Sequence, residues 1–221
     1  MKAKISEIFK SIQGEGLYQG LEQVFVRFYG CSLSCKFCDT KLSGYREYSV
    51  KDLTQALNSF TNFHSISLTG GEPLEQVFFL KEFLESYRKG AKKIYLETNG
   101  ILFDNLKRIV GHLDIISMDF KLSSSTGIKA FWHEHREFIK IAASKDFFIK
   151  AVIGHSTLVN DIRIALSIIK ESGSHATLVL QPENPFEHEL AAKLNYFYKI
   201  CQEYSVRVKI ISQLHKVIGV K

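Results

Sequence analysis

Cys31, Cys35 and Cys38 form a CxxxCxxC run directly after the apolar stretch 23–28, so one short loop delivers three thiols. A 4Fe–4S cube has four irons to ligate, and three cysteines leave one iron open to an exogenous ligand. An open iron points to chemistry rather than electron storage. The rival use is structural zinc, which takes four Cys or His ligands arranged as paired short spacings. The chain has no second CxxC and no HxxxH, and no spacing recommends His64, His112 or Cys201 as a fourth ligand. The iron–sulfur reading is favoured. Cys201 shares an apolar spacing with Leu194 and Phe197 in a helical-looking stretch, which suits a buried core thiol.

Other groups with chemical potential stand beside β-like runs. Gly70-Gly71-Glu72-Pro73 follows one of them. Paired glycines alone mark only a tight turn, but glycine also lets backbone approach a ligand closely, where carbonyls and amides can hold an ammonium and a carboxylate. Phe37, between Cys35 and Cys38, is either a core aromatic or a shield for the cube. Asp119 and Lys121 are two apart after a strand and point the same way. They form either a weak exposed ion pair or a ligand contact. Gln181 before Pro182 is a strand-end turn or a similar contact.

The elements that must position these groups alternate. Strands are expected at 24–28, 65–68, 93–97, 115–118, 147–152, 177–180 and 206–210, and helices at 50–59, 77–88, 103–110, 129–143, 161–170 and 187–204. Ser49 with Asp52 reads as a capping box for the first helix, and Gly90 as the C-cap of the second. Six strand–helix–strand repeats argue for parallel units with right-handed crossovers. A closed barrel needs eight units, so the expected class is α/β, an open or partial TIM-like (β/α)6 barrel. Residues 1–221 are expected to form one domain. The motifs fall mostly at carboxyl ends of strands, which share one rim in such a barrel.

Composition narrows the classes of partner. The net charge of +6 comes from 29 basic residues intermixed with 23 acidic ones, a solvated surface rather than a nucleic-acid face. No segment has the ~18 to 20 apolar residues of a membrane span, and the start MKAKISEIFK lacks a signal peptide's apolar run. A cytoplasmic protein is expected, with its clustered cysteines kept reduced.

With Phe37 and Gly70 to Pro73, the cysteine loop resembles the radical S-adenosylmethionine (SAM) superfamily, in which SAM chelates the free iron through its amino and carboxylate groups. A larger set is similar to the 7-carboxy-7-deazaguanine synthases: Glu7 to Gly16, Val26-Arg27, Asp39-Thr40, Thr69 to Pro73, Glu97 to Gly100 and Ser212 to Lys216. That resemblance implies a radical SAM barrel and conversion of 6-carboxy-5,6,7,8-tetrahydropterin into 7-carboxy-7-deazaguanine with release of ammonia, in queuosine and 7-deazapurine biosynthesis. A SAM-derived 5′-deoxyadenosyl radical would remove hydrogen from C6 of the substrate.

Carried over by position, Cys31, Cys35 and Cys38 would hold the cluster, and Phe37, Cys38, Asp39, Gly71, Asp119, Lys121 and Gln181 would surround SAM. Ile12, Gln13, Gly14, Arg27 and Thr69 would hold the pterin, and Thr40 would ligate Mg²⁺. Arg27 suits a carboxylate, since guanidinium is a planar fork. Glu15, Glu72 and His215 are unranked candidates for a general base. An external electron donor such as flavodoxin or ferredoxin and a homodimer are implied by the family alone. This chain carries Asp119-Phe120-Lys121 where some members have Ser-Pro-Lys, and it ends in Gly219-Val220-Lys221 rather than in proline.

Two other functions share part of this pattern. A radical SAM activase that installs a glycyl radical needs the cysteines, GGEP and DxK but not Gln13 to Gly16. A zinc-stabilised nucleic-acid-binding module would use the basic surface and leave the rim motifs idle.

Overall fold

The computed structural model describes every residue except 39, 41, 42, 88, 89, 91, 215, 217, 218, 220 and 221. Its elements run β1 (Lys2–Ile12), β2 (Glu22–Phe28), β3 (Arg46–Ser49), α1 (Val50–Asn58), β4 (Ser65–Gly70), α2 (Val77–Ser86), β5 (Lys93–Thr98), α3 (Phe103–Ile109), β6 (Ile115–Asp119), α4 (Ser123–Thr126), α5 (Trp132–Ala142), β7 (Asp146–Ile153), α6 (Val159–Glu171), β8 (Thr177–Pro182), α7 (Ala191–Glu203) and β9 (Val208–Ile210). The strands form a nine-stranded sheet in the order β3-β1-β2-β4-β5-β6-β7-β8-β9. Every pairing from β2 to β9 is parallel, and β1 pairs antiparallel with both β2 and β3. The sheet has two ends and does not close, so the expected open (β/α)6 barrel is found, with an antiparallel extension on its first edge.

That extension was not among the expected strands. β1 mixes charged and apolar residues with a burial pattern that is regular only over its first few positions, and β3 is four residues long. Neither offers a sustained period-2 signal. The capping box of α1 forms: Asp52 N–H donates to Ser49 Oγ at 3.2 Å and Ser49 N–H to Asp52 Oδ2 at 3.0 Å. Gly90 does not cap α2, which ends at Ser86 because Tyr87 turns to extended backbone at ψ 119°. α5 and α7 start later than expected, at Trp132 and Ala191.

Alternation along the strands divides two interiors. One set of residues faces the helices and builds the main core, among them Val24, Val26, Ile94, Leu96, Ile116 and Ile149. Each such side chain contributes roughly 1.5 to 3 kcal/mol when fully buried. Cys201 belongs to this core and is fully buried. The other set points into the barrel. There Tyr95, Ile115, Phe148 and Val179 form a second apolar cluster with Leu17, Tyr18 and Ile211.

The turn between β1 and β2 therefore fills one half of the barrel. Tyr18 lies 5.6 Å from the Tyr95 ring and 6.3 Å from the Phe148 ring, and its hydroxyl donates to Asp146. Gly16 sits at φ +65°, and a Cβ there would stand 2.4 Å from the Phe148 ring, so this position requires glycine. Two residues further along the same strands, the inward positions are Glu97, Ser117, Lys150 and Gln181. Polarity changes there from apolar to charged.

Candidate active site

Those inward residues line a cavity of about 800 Å³ toward the carboxyl ends of the strands. Cys31, Cys35 and Cys38 lie on its wall. Their loop is tied down at several points: Ser32 N–H donates to Glu75 Oε1 at 2.6 Å, Lys36 N–H to Thr126 O at 3.0 Å and Cys38 N–H to Cys35 O at 3.1 Å. Leu33 N–H points at Cys31 Sγ, 3.4 Å away. Burial pushes the Cys31 and Cys35 thiols up from their ordinary value, with Lys121 opposing it at Cys35. Among the described residues no three Cys, His, Asp or Glu side chains converge on a single metal ion. A cube asks for something else, since each thiolate takes a separate iron.

Gly70 and Gly71 let β4 and its following turn press against the end of β2. A Cβ on Gly71 would fall 1.8 Å from Gly30 O, and one on Gly70, at φ +124°, would fall 2.3 Å from Phe28 O. The close approach is secured by Gly71 N–H to Phe28 O at 2.9 Å and Glu72 N–H to Gly30 O at 2.8 Å. Glu72 turns away from the cavity. Its Oε1 accepts from Leu74 N–H at 3.0 Å and Thr98 Oγ1 at 2.8 Å, and its Oε2 accepts from Asn99 N–H at 2.8 Å. Burial pushes this carboxyl up to about 7 against those three bonds. Glu72 thus clamps the turn after β4 to the end of β5, which removes it from the candidate bases.

Asp119 and Lys121 do pair, Oδ2 to Nζ at 2.7 Å, and the pair faces the cavity rather than solvent. Lys121 Nζ also lies 5.4 Å from the centroid of the Phe37 ring. Lys150, the register partner of Asp119 on β7, places its ammonium 3.5 Å from Asp119 Oδ1 and in contact with Glu15 Oε2. Burial acts against that ammonium, yet Asp119 and Glu15 overcome it and hold Lys150 well above the usual lysine range. Glu15 Oε1 accepts from Gln213 Nε2 at 2.6 Å. Gln181 is 1% exposed on the cavity wall, and its Oε1 has no protein hydrogen-bond partner, as is also true of Asp119 Oδ1.

The opposite wall comes from β2, β4, β5 and the turn after β1. Gln13 Nε2 donates to Glu97 Oε1 at 2.6 Å and to Gln23 Oε1 at 3.0 Å, while its Oε1 accepts from Glu15 N–H at 3.0 Å. Thr69 Oγ1 donates to Glu97 Oε2 at 2.6 Å. Burial pushes the Glu97 carboxyl above its ordinary value. The Arg27 guanidinium lies 5.4 Å over the Phe9 ring, with Nε 3.9 Å from Glu7 Oε2. Ile12, Gly14 and Thr40 also line the cavity. Asp39 and His215 lie outside the described residues.

One cavity thus gathers every described site residue expected from the sequence except Glu72. Sequence reasoning missed Lys150 and did not give Glu97 a role. Inward alternation along β5 and β7 is the signal that finds both.

Residues 25–194 match the Radical SAM superfamily, and the chain belongs to that superfamily. A 7-carboxy-7-deazaguanine synthase from Geobacter sulfurreducens is 34% identical over 98% of this chain and 97% of its own. One from Methanothermobacter thermautotrophicus is 33% identical over 100% of this chain and 99% of its own. Within the superfamily, the chain belongs to the 7-carboxy-7-deazaguanine synthase family and is an enzyme. QueE from Escherichia coli has the same fold, with a TM-score of 0.63 at 20% identity over 95% of this chain and 94% of that one.

A 4Fe–4S cluster and SAM come with the superfamily. The wall fits both, offering three thiols from one anchored loop and one buried oxygen without a protein partner, Gln181 Oε1. Among the described residues no helix is long and apolar enough to cross a membrane.

Proposed function

We propose that this enzyme converts 6-carboxy-5,6,7,8-tetrahydropterin into 7-carboxy-7-deazaguanine with release of ammonia. The observation that carries the proposal is the single cavity in which the cysteine loop faces Gln13, Arg27, Thr69 and Glu97. When bound, the cluster and SAM would supply the radical chemistry, a 5′-deoxyadenosyl radical able to take hydrogen from the substrate. Every other task falls to the chain.

Cys31, Cys35 and Cys38 hold the cluster. Phe37, Asp39, Gly71, Asp119, Lys121 and Gln181 surround SAM, with Gln181 Oε1 as an acceptor awaiting a donor. Arg27 holds the substrate carboxylate in its planar fork, oriented by Glu7 and Phe9. Glu97 sets the direction of the Gln13 amide and the Thr69 hydroxyl, so that both meet the pterin together with Ile12 and Gly14. Seated inside the open barrel, a reactive substrate radical is held away from bulk water.

Thr40, on the cavity wall, would offer Mg²⁺ one hydroxyl, leaving the rest of this hard cation's oxygen ligands to substrate and water. Among the described candidate bases, Glu15 lines the cavity and Glu72 does not, which favours Glu15 for this role. An external flavodoxin- or ferredoxin-type electron donor, a homodimer and a cytoplasmic setting complete the proposal.

The test is anaerobic turnover of the reconstituted, reduced protein with SAM, Mg²⁺ and the carboxytetrahydropterin. A deazaguanine carboxylic acid with an equal amount of ammonia is expected. Formation of 5′-deoxyadenosine alone overturns the proposal.

A further inference from the structure

We propose that Lys150 couples the two halves of the cavity, so that a ligand in the cofactor half strengthens binding in the substrate half and the reverse. This inference rests on the function proposed above. It assigns Lys150 as a positioning residue, acting through Asp119 and Glu15.

The geometry is a continuous polar chain across the barrel. Starting at the cysteine loop, Phe37 lies under Lys121 Nζ, which bonds Asp119 Oδ2 at 2.7 Å. Asp119 Oδ1 faces Lys150 Nζ, and Lys150 Nζ contacts Glu15 Oε2. Glu15 Oε1 accepts from Gln213, and the Glu15 N–H donates to Gln13, the first of the pterin-facing polar residues. The side chains of Lys150, Asp119 and Glu15 are only 12%, 23% and 21% exposed. Charge interactions there are screened far less than at the surface.

Lys150 is shared between two carboxylates: its ammonium contacts Glu15 Oε2 and stands 3.5 Å from Asp119 Oδ1. Lys150 is therefore a switchable bridge between two carboxylates. When the SAM carboxylate approaches Lys121, Asp119 loses part of its partner and draws Lys150 toward itself. Glu15 is then released as an acceptor for pterin N–H groups. In the other direction, a pterin N–H on Glu15 frees Lys150 to neutralise Asp119 and leaves Lys121 for SAM. Both sequences give positive coupling, as linkage requires of a reciprocal effect.

The test uses the oxidised 4Fe–4S holoenzyme, which binds SAM without cleaving it. The dissociation constant for SAM is measured anaerobically by equilibrium dialysis, without and with saturating 6-carboxytetrahydropterin. In the unsubstituted enzyme the pterin is expected to tighten SAM by about fivefold or more. In Lys150→Met that ratio falls to about one while each ligand alone still binds, and Lys150→Arg restores part of it. Glu15→Gln cuts the chain on its other side and lowers the ratio as well. If Lys150→Met does not retain its cluster, Glu15→Gln and Lys150→Arg carry the same comparison.

An unsubstituted ratio of one, a ratio unchanged in Lys150→Met or in Glu15→Gln, or equal loss of both ligands without rescue by arginine overturns the coupling. Turnover of the unsubstituted enzyme separates the two proposals. Absence of deazaguanine defeats the reaction, whereas deazaguanine formed without coupling defeats only the role of Lys150.

Discussion

Gln13 and Glu97 join the turn after β1 to the barrel wall: the amide of a residue in the turn before β2 donates to a carboxylate near the carboxyl end of β5, 2.6 Å away. The turn after β1 packs Tyr18 on Tyr95 and Phe148 in one half of the interior, and from there Gln13 and Glu15 reach into the cavity. This wall of the cavity is thus built partly on a plug rather than wholly on the rim.

Gln13→Ala removes the donor from Glu97 Oε1 and Gln23 Oε1. Leaving buried acceptors unsatisfied costs about 1 to 3 kcal/mol. KM for the pterin is expected to rise with little change in SAM affinity. Steady-state kinetics and dialysis check this, and an unchanged KM would remove Gln13 from the substrate side.

Gly71→Ala drives a Cβ to 1.8 Å from Gly30 O, just ahead of Cys31. Backbone must move, at a cost of about 1 to 3 kcal/mol or more. Reduced iron content after reconstitution and a lowered Tm are the expected pair of results. Full cluster loading would show that the glycine cradle is not needed by the cysteine loop.

Cys38→Ala should abolish the brown colour and visible absorbance of the reconstituted cluster. Cys201→Ala should leave them intact at a stability cost of about 1 kcal/mol, because Cys201 packs in the helix-facing core and burial pushes its thiol up to about 12. Iron loss in Cys201→Ala would contradict this division.

Glu72 ionises at about 7 in the folded chain against an ordinary 4.5, because burial disfavours its charged form. The folded state therefore binds that proton more tightly than the unfolded state does. Its contribution to stability is full below pH 4.5 and declines as pH rises toward 7, by about 3 kcal/mol. Urea unfolding at the two ends of that window should show a shallower pH slope in Glu72→Gln. Equal slopes would mean that another group titrates there.

Much of this was legible in the sequence, because helix-facing strands, GGEP and the cysteine loop each leave a local pattern. β1 and β3 left none, since β1 has little regular alternation and β3 is four residues long. Asp119 and Lys121 were readable as a pair, but not their third partner, because Lys150 meets Asp119 only through strand register. Glu72 stood among the candidate bases in the sequence. Only the folded chain shows its oxygens committed to Leu74, Thr98 and Asn99.

The central claim is that one cavity brings SAM's reactive carbon to C6 of the pterin. Turnover with substrate deuterated at C6 tests it most directly, by mass spectrometry of the adenosyl products and of the deazaguanine. Deuterium in SAM-derived 5′-deoxyadenosine, alongside 7-carboxy-7-deazaguanine, is the result expected. Adenosyl products free of deuterium would contradict the account.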